Sequence, residues 1–64
     1  MNTHTNTDIQ KYVVTRDGRR TSEKNFVSEN DAKREASYWI GICRQYDPKS
    51  KVSIVRTNKP KRIR

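Results

Sequence analysis

Apolar residues are sparse in this chain, and where they gather they follow two different periods. Lys11-Tyr12-Val13-Val14-Thr15 is β-branched and aromatic and predicts a strand. It runs into Arg16-Asp17-Gly18-Arg19, where Asp-Gly is a strong hairpin signal because the turn needs positive φ, free for Gly and tolerable for Asp. The returning segment, residues 20–27, is polar until Phe26 and Val27, which predicts an edge strand. A two-residue and a three-residue turn differ by one in register, so the pattern leaves open which hairpin side chains are buried.

A longer period follows. Ala32, Ala36, Trp39, Ile40 and Cys43 recur as the stripe of an amphipathic helix. Ser28, three residues before Asp31, predicts the helix start as a capping box, and Glu29 and Asp31 suit the positive end of the helix dipole. Gly41 costs about 1 kcal/mol relative to alanine inside a helix. Asp47-Pro48 ends the helix, because the residue before proline is pushed out of the α region. Asp47-Pro48-Lys49-Ser50 then suits a type I turn.

Residues 51–56 alternate again, with Val52 and Ile54 directed at the helix, and residues 58–64 have no period and predict a flexible basic tail. The predicted fold is a small α+β domain of order ββαβ: a three-stranded antiparallel sheet, spatial order 2-1-3, with one helix on one face. The most apolar strand, the first, takes the middle. A parallel placement of the third strand beside the second also satisfies the crossover rule.

Size sharpens this picture. Sixty-four residues, 30% hydrophobic and 34% charged, allow one domain with a thin core, assigned to residues 10–57. Such chains often lean on a partner or a second copy, so a homodimer is one expectation. Residues 1–9 read as a disordered leader without the basic start and apolar run of a signal peptide. No stretch approaches the roughly 20 apolar residues that span a bilayer, which predicts no membrane association. The lone Cys43 excludes an internal disulfide and fits a reducing cytoplasm, of a cell or an infected host.

Charge changes the picture most. Residues 1–48 hold eight basic and seven acidic side chains, whereas residues 49–64 hold seven basic and none acidic. The body is nearly neutral and the end is cationic. Arg16, Arg19 and Arg20 form a second cluster at the hairpin tip, where guanidinium forks match phosphate oxygens. These three, with Lys49, Lys51, Arg56, Lys59, Lys61, Arg62 and Arg64, are the candidate contacts to DNA or RNA. They would act through phosphates with little sequence readout, since no recognition helix or RNA-binding strand motif is present. Tip and tail engaging together would make about six phosphate contacts and a steep salt dependence.

Catalysis finds no support. His4 lies in the leader, Cys43 on the helix stripe reads as a structural thiol, and one Cys with one His cannot build a four-ligand zinc site. Glu29, Asp31 and Glu35 read as solvated helix carboxylates, and Gly18 and Gly41 stand alone rather than in a phosphate loop. No metal or cofactor is expected. The alternative to nucleic-acid binding is a modulator or inhibitor docking on an acidic or nucleic-acid-binding surface of a larger enzyme. Tyr38, Trp39 and Ile42, flanked by Arg34 and Gln45, would form its interface, with an open sheet edge beside them. Size, charge and lack of catalytic residues are similar to those of small phage or mobile-element accessory proteins, a compositional likeness that assigns no residue a role.

Overall fold

The Asp17-Gly18 turn fixes everything built on it. The computed structural model describes residues 10–64; the expected leader, and His4 within it, lie outside the described residues. Strand β1, Lys11–Arg16, pairs antiparallel with the two-residue β2, Arg19–Arg20, with Arg16 opposite Arg19. The loop is therefore two residues long, and φ is +53° at Asp17 and +86° at Gly18. Both values match the turn whose twist suits a hairpin. Asp17 holds its left-handed backbone with help from the next loop. Its carboxylate accepts from the Lys51 N–H at 2.9 Å, and its own N–H donates to the Lys51 carbonyl at 2.8 Å.

The returning strand is shorter than the sequence predicts. After Arg20 only the Thr21 N–H, donating to the Val14 carbonyl at 3.0 Å, continues the ladder. The chain then leaves the sheet and returns at Phe26, which exchanges two 2.8 Å backbone hydrogen bonds with Tyr12. An uninterrupted ladder with Arg20 opposite Thr15 would set Glu23 opposite Tyr12. Three extra residues instead deliver Phe26 there, so an aromatic ring rather than a carboxylate meets the core.

Helix α1, Glu29–Tyr46, starts and stops where the sequence predicts. The Ser28 hydroxyl accepts from the Asn30 N–H at 3.2 Å. The reciprocal half of a capping box is missing, because the Asp31 carboxylate lies 3.9 Å from Arg34 instead. At the other end the Asp47 N–H donates to the Cys43 carbonyl at 2.7 Å. Strand β3, Val52–Thr57, pairs antiparallel with β1 over six residues, giving the order β2-β1-β3 with the helix against β1 and β3. This is the predicted fold.

Alternation divides the sheet's side chains. Val14 packs with Ala32 and Ala36, supported by Tyr12, Phe26, Trp39, Val52 and Ile54. Cys43 is buried as expected. Ile40 is not part of this core: at about 100° per residue it turns to the rim of the stripe, and it is 43% exposed. Val13 and Thr15 point away from the helix, yet they are only 1% and 3% exposed. The cover comes from the chain's end. Residues 58–64, predicted as a flexible basic tail, instead leave β3, form a 3-10 turn at Pro60–Arg62 that contacts β1, and end against β2. We call them the arm. The Arg64 carbonyl accepts from the Arg20 N–H at 2.7 Å, which closes the sheet edge that β2 would otherwise leave open.

Candidate polyanion-binding surface

Two of the three tip arginines have structural partners. Arg16 donates through Nη2 to Asp47 Oδ2 at 3.1 Å and through Nε to Ser50 Oγ at 3.2 Å. It thereby ties β1 to the loop after the helix and sets a cation beside the helix C-terminus, where the dipole favours one. The Ser50 hydroxyl lies 2.7 Å from Asp47 Oδ2 and 2.9 Å from Asp17 Oδ2. Its single proton serves one of them at a time. These contacts favour the charged forms. The Asp47 pKa is lowered first by Ser50 and then by Arg16, and that of Asp17 first by the Lys51 N–H and then by Ser50.

Arg20 holds the arm. Nε donates to the Ile63 carbonyl at 2.9 Å, and Nη2 to the Pro60 carbonyl at 2.8 Å and to Asn25 Oδ1 at 2.9 Å. Nη1 approaches the Ser22 carbonyl at 3.5 Å. One half-buried guanidinium thus joins the excursion of residues 21–25 to residues 60–64. Arg16 and Arg20, expected as phosphate contacts, direct several of their donors to partners inside the fold. A guanidinium makes no distinction in sequence between a phosphate and a row of carbonyls, so the sequence held no signal of this.

The remaining eight predicted contacts, Arg19, Lys49, Lys51, Arg56, Lys59, Lys61, Arg62 and Arg64, are all exposed. Lys51 uses only its backbone on Asp17. Arg64 meets β2 next to Arg19, so the structure does bring tail and tip together along one edge. Lys49 and Lys51 flank the loop clamped to the turn at the same end of the sheet. Arg56, opposite Tyr12, lies at the far end and on the helix side.

Acidic and basic groups are separated by layer. The helix carries Glu29, Asp31 and Glu35 against Lys33, Arg34 and Arg44, an even balance. Arg16 and Asp47 pair with each other. On the opposite side, the arm and the sheet residues facing it (Val13, Thr15, Arg20, Ser53, Val55) include no side-chain carboxylate, and Glu23, exposed in the adjoining excursion, is the one carboxylate of residues 19–27. The five aromatics do not reach this side: Tyr12, Phe26 and Trp39 support the helix core, and Tyr38 and Tyr46 lie on the helix.

The alternative interface is also on the helix side. Tyr38 is 63% exposed and meets Trp39 edge-on at 5.5 Å, Ile42 is half-buried, and Tyr46 is exposed. Trp39 is half-buried, donating through Nε1 to Glu35 at 3.1 Å, which gives Glu35 a partner the sequence did not suggest. Beside them a groove of about 490 Å³ is lined by Phe26, Asp31, Arg34, Glu35 and Tyr38. Among the described residues no group of three or more His, Cys, Asp or Glu side chains could hold a metal ion, and no helix is long and apolar enough to cross a membrane. No family model matches the chain, and no curated protein or solved structure shows significant similarity to it.

Proposed function

We propose that the protein binds nucleic acid through its arm layer, by phosphate contacts and with little reading of base sequence. The observation that carries this is the separation of charge: Lys59, Lys61, Arg62 and Arg64 project from a layer without a side-chain carboxylate, while the helix layer is balanced. A polyanion approaching the arm gains attraction from its four cations, which outnumber the one exposed carboxylate of the adjoining excursion, Glu23, and Arg19, Lys49 and Lys51 extend the field round the hairpin edge beside Asp17. With no aromatic ring on that side there is no platform for base stacking, so the contacts that remain are to the backbone.

The test is binding of single-stranded and duplex oligonucleotides of DNA and of RNA, followed by fluorescence anisotropy across a salt series. Affinity should fall log-linearly with salt, with a slope near −0.9 per phosphate contact on duplex DNA and about −0.7 on a single strand. Absence of binding at low salt would overturn this function. The exposed Tyr38 and Tyr46 would then favour the protein-binding modulator, recognisable as one dominant partner recovered from a cell extract and lost on Tyr38→Ala.

A further inference from the structure

The arm and Asn25 of the excursion border an open groove of about 400 Å³, lined by Asn25, Asn58, Lys59, Pro60, Lys61 and Arg62. That volume is within the range of small-ligand sites. Its lining is three cations, two amides and a proline. The other grooves differ: the one at Phe26 and Tyr38 contains two carboxylates, and the one between the helix and β3, lined by Ile40, Cys43, Arg44, Pro48, Ser50 and Val52, contains a single cation.

One wall is oriented by chemistry. Arg20 Nη2 donates to Asn25 Oδ1, and a guanidinium has no acceptor to offer. The Asn25 amide must therefore keep its oxygen on Arg20 and turn its NH₂ group away, as a donor held in one direction. The same Nη2 holds the Pro60 carbonyl, so a single arginine fixes both walls at once. An oriented amide donor at Asn25 beside three cations suits an anion with several acceptor oxygens.

We infer that this groove is a nucleotide phosphate site, taking one phosphate group together with the sugar that carries it. The inference deepens the nucleic-acid function proposed above and rests on it for the source of the ligand, either an internal phosphodiester of a strand or a free mononucleotide. Lys59, Lys61 and Arg62 supply charge, Asn25 supplies a directed hydrogen bond and Asn58 a second amide, and Pro60 gives the sugar an apolar contact.

The experiment is a titration of the full chain with adenosine 5′-monophosphate, and with adenosine as the unphosphorylated control, read from the side-chain NH₂ signals of Asn25 and Asn58 by NMR. Both signals should shift with the nucleotide and neither with adenosine. Asn25→Asp keeps an oxygen on Arg20 and so keeps the fold, but it turns a negative oxygen toward the groove. Its affinity for the nucleotide should fall by about tenfold or more, because the carboxylate oxygen repels the phosphate. Silent amides, or an Asn25→Asp protein that binds the nucleotide as well as the parent, would overturn the site. Oligonucleotide binding separates the two claims. If oligonucleotides bind while the amides stay silent, the groove is rejected and the arm function stands. If the amides respond but no oligonucleotide binds, the groove is a mononucleotide site and the arm function falls.

Discussion

The two faces of this sheet are covered in opposite ways. On the helix side Val14 is sealed by two alanines, three aromatic residues and two β-branched residues. On the arm side Val13 is sealed equally well, by seven residues that are mostly charged and are held by carbonyl contacts to one arginine. An 18-residue helix covers its face with a hydrophobic stripe and can carry balanced charge outward. The arm gains its place from hydrogen bonds to Arg20 and leaves its own cations unneutralised. The difference teaches that a short basic segment can be structural through its backbone while its side chains stay available.

Neutralising the two layers separately tests that comparison most strongly. Replacing Lys59, Lys61 and Arg62 together by glutamine should weaken oligonucleotide binding by about a hundredfold at moderate salt and flatten the duplex salt slope by nearly three. The matching helix-layer variant, Lys33, Arg34 and Arg44 all to glutamine, removes the same formal charge. It should change affinity only a few-fold, through the general field. Equal losses in the two variants, measured by anisotropy at several salt concentrations, would erase the distinction between the faces.

Arg20→Ala comes next and reads out stability. It strands the Pro60 and Ile63 carbonyls, uncovers Val13 and Thr15, and frees Asn25. Hydrogen bonds from a charged donor contribute about 1.5–3 kcal/mol each before allowance for partial exposure. Unfolding in urea should therefore show a loss of about 2–3 kcal/mol. Arg19→Ala, one residue away and exposed, should stay within about 0.5 kcal/mol of the parent. Neighbouring arginines that look alike in sequence then separate in their contribution to stability, Arg20 holding the arm and Arg19 not.

Much of the helix side was legible in the sequence and little of the arm side was. The Asp-Gly turn, the serine cap and the alanine stripe each act within a few residues, and the structure follows them, Ile40 aside. The returning strand was predicted too long because the excursion of residues 21–25, which adds three residues, is decided by what the core needs opposite Tyr12, not by local pattern. One sign of a second layer was present. Strand β1 is apolar on both parities, Tyr12 and Val14 on one and Val13 on the other, as a strand covered on both faces should be. The roles of Arg16 and Arg20 depend on partners 31 to 43 residues away, beyond any local period. Asn25 and Asn58 carry no signal at all until the arm folds back.

The buried valines give a smaller but sharper contrast. Val13→Ala and Val14→Ala delete the same two methyl groups, each at a cost of about 1–2 kcal/mol. Combined with Arg20→Ala they should part company. Val13 loses its cover when the arm detaches, so its deletion in the Arg20→Ala background should cost about 1 kcal/mol less than in the parent. Val14 keeps its helix, and its two effects should simply add. Additivity at both positions, measured by urea unfolding of the four-membered cycles, would show that the arm does not depend on Arg20.

The smallest expected effect concerns acid and the clamp between the hairpin turn and the 47–51 loop. Asp17 and Asp47 both have lowered pKa values in the fold. A carboxyl depressed on folding binds fewer protons native than unfolded, so it stabilises above the unfolded value near 3.9, and that contribution disappears as pH falls through the lower folded value. Stability should therefore decline below about pH 4 and be flat above it. Ser50→Ala removes the first cause of the Asp47 shift and the second of the Asp17 shift while leaving Arg16 and the Lys51 N–H in place. Its acid decline should be shallower than the parent's, not steeper, because less of its stability is linked to those two charges. Residues 58–64 have no carboxyl side chain, so the same pH range should leave the contacts of the Arg20 guanidinium with the Pro60 and Ile63 carbonyls intact. Amide exchange at Arg20, whose N–H is held by Arg64, would then stay protected while that of Lys51 rises. Loss of both protections together at acid pH would mean that clamp and arm open as one unit, and that the two faces are not separately held.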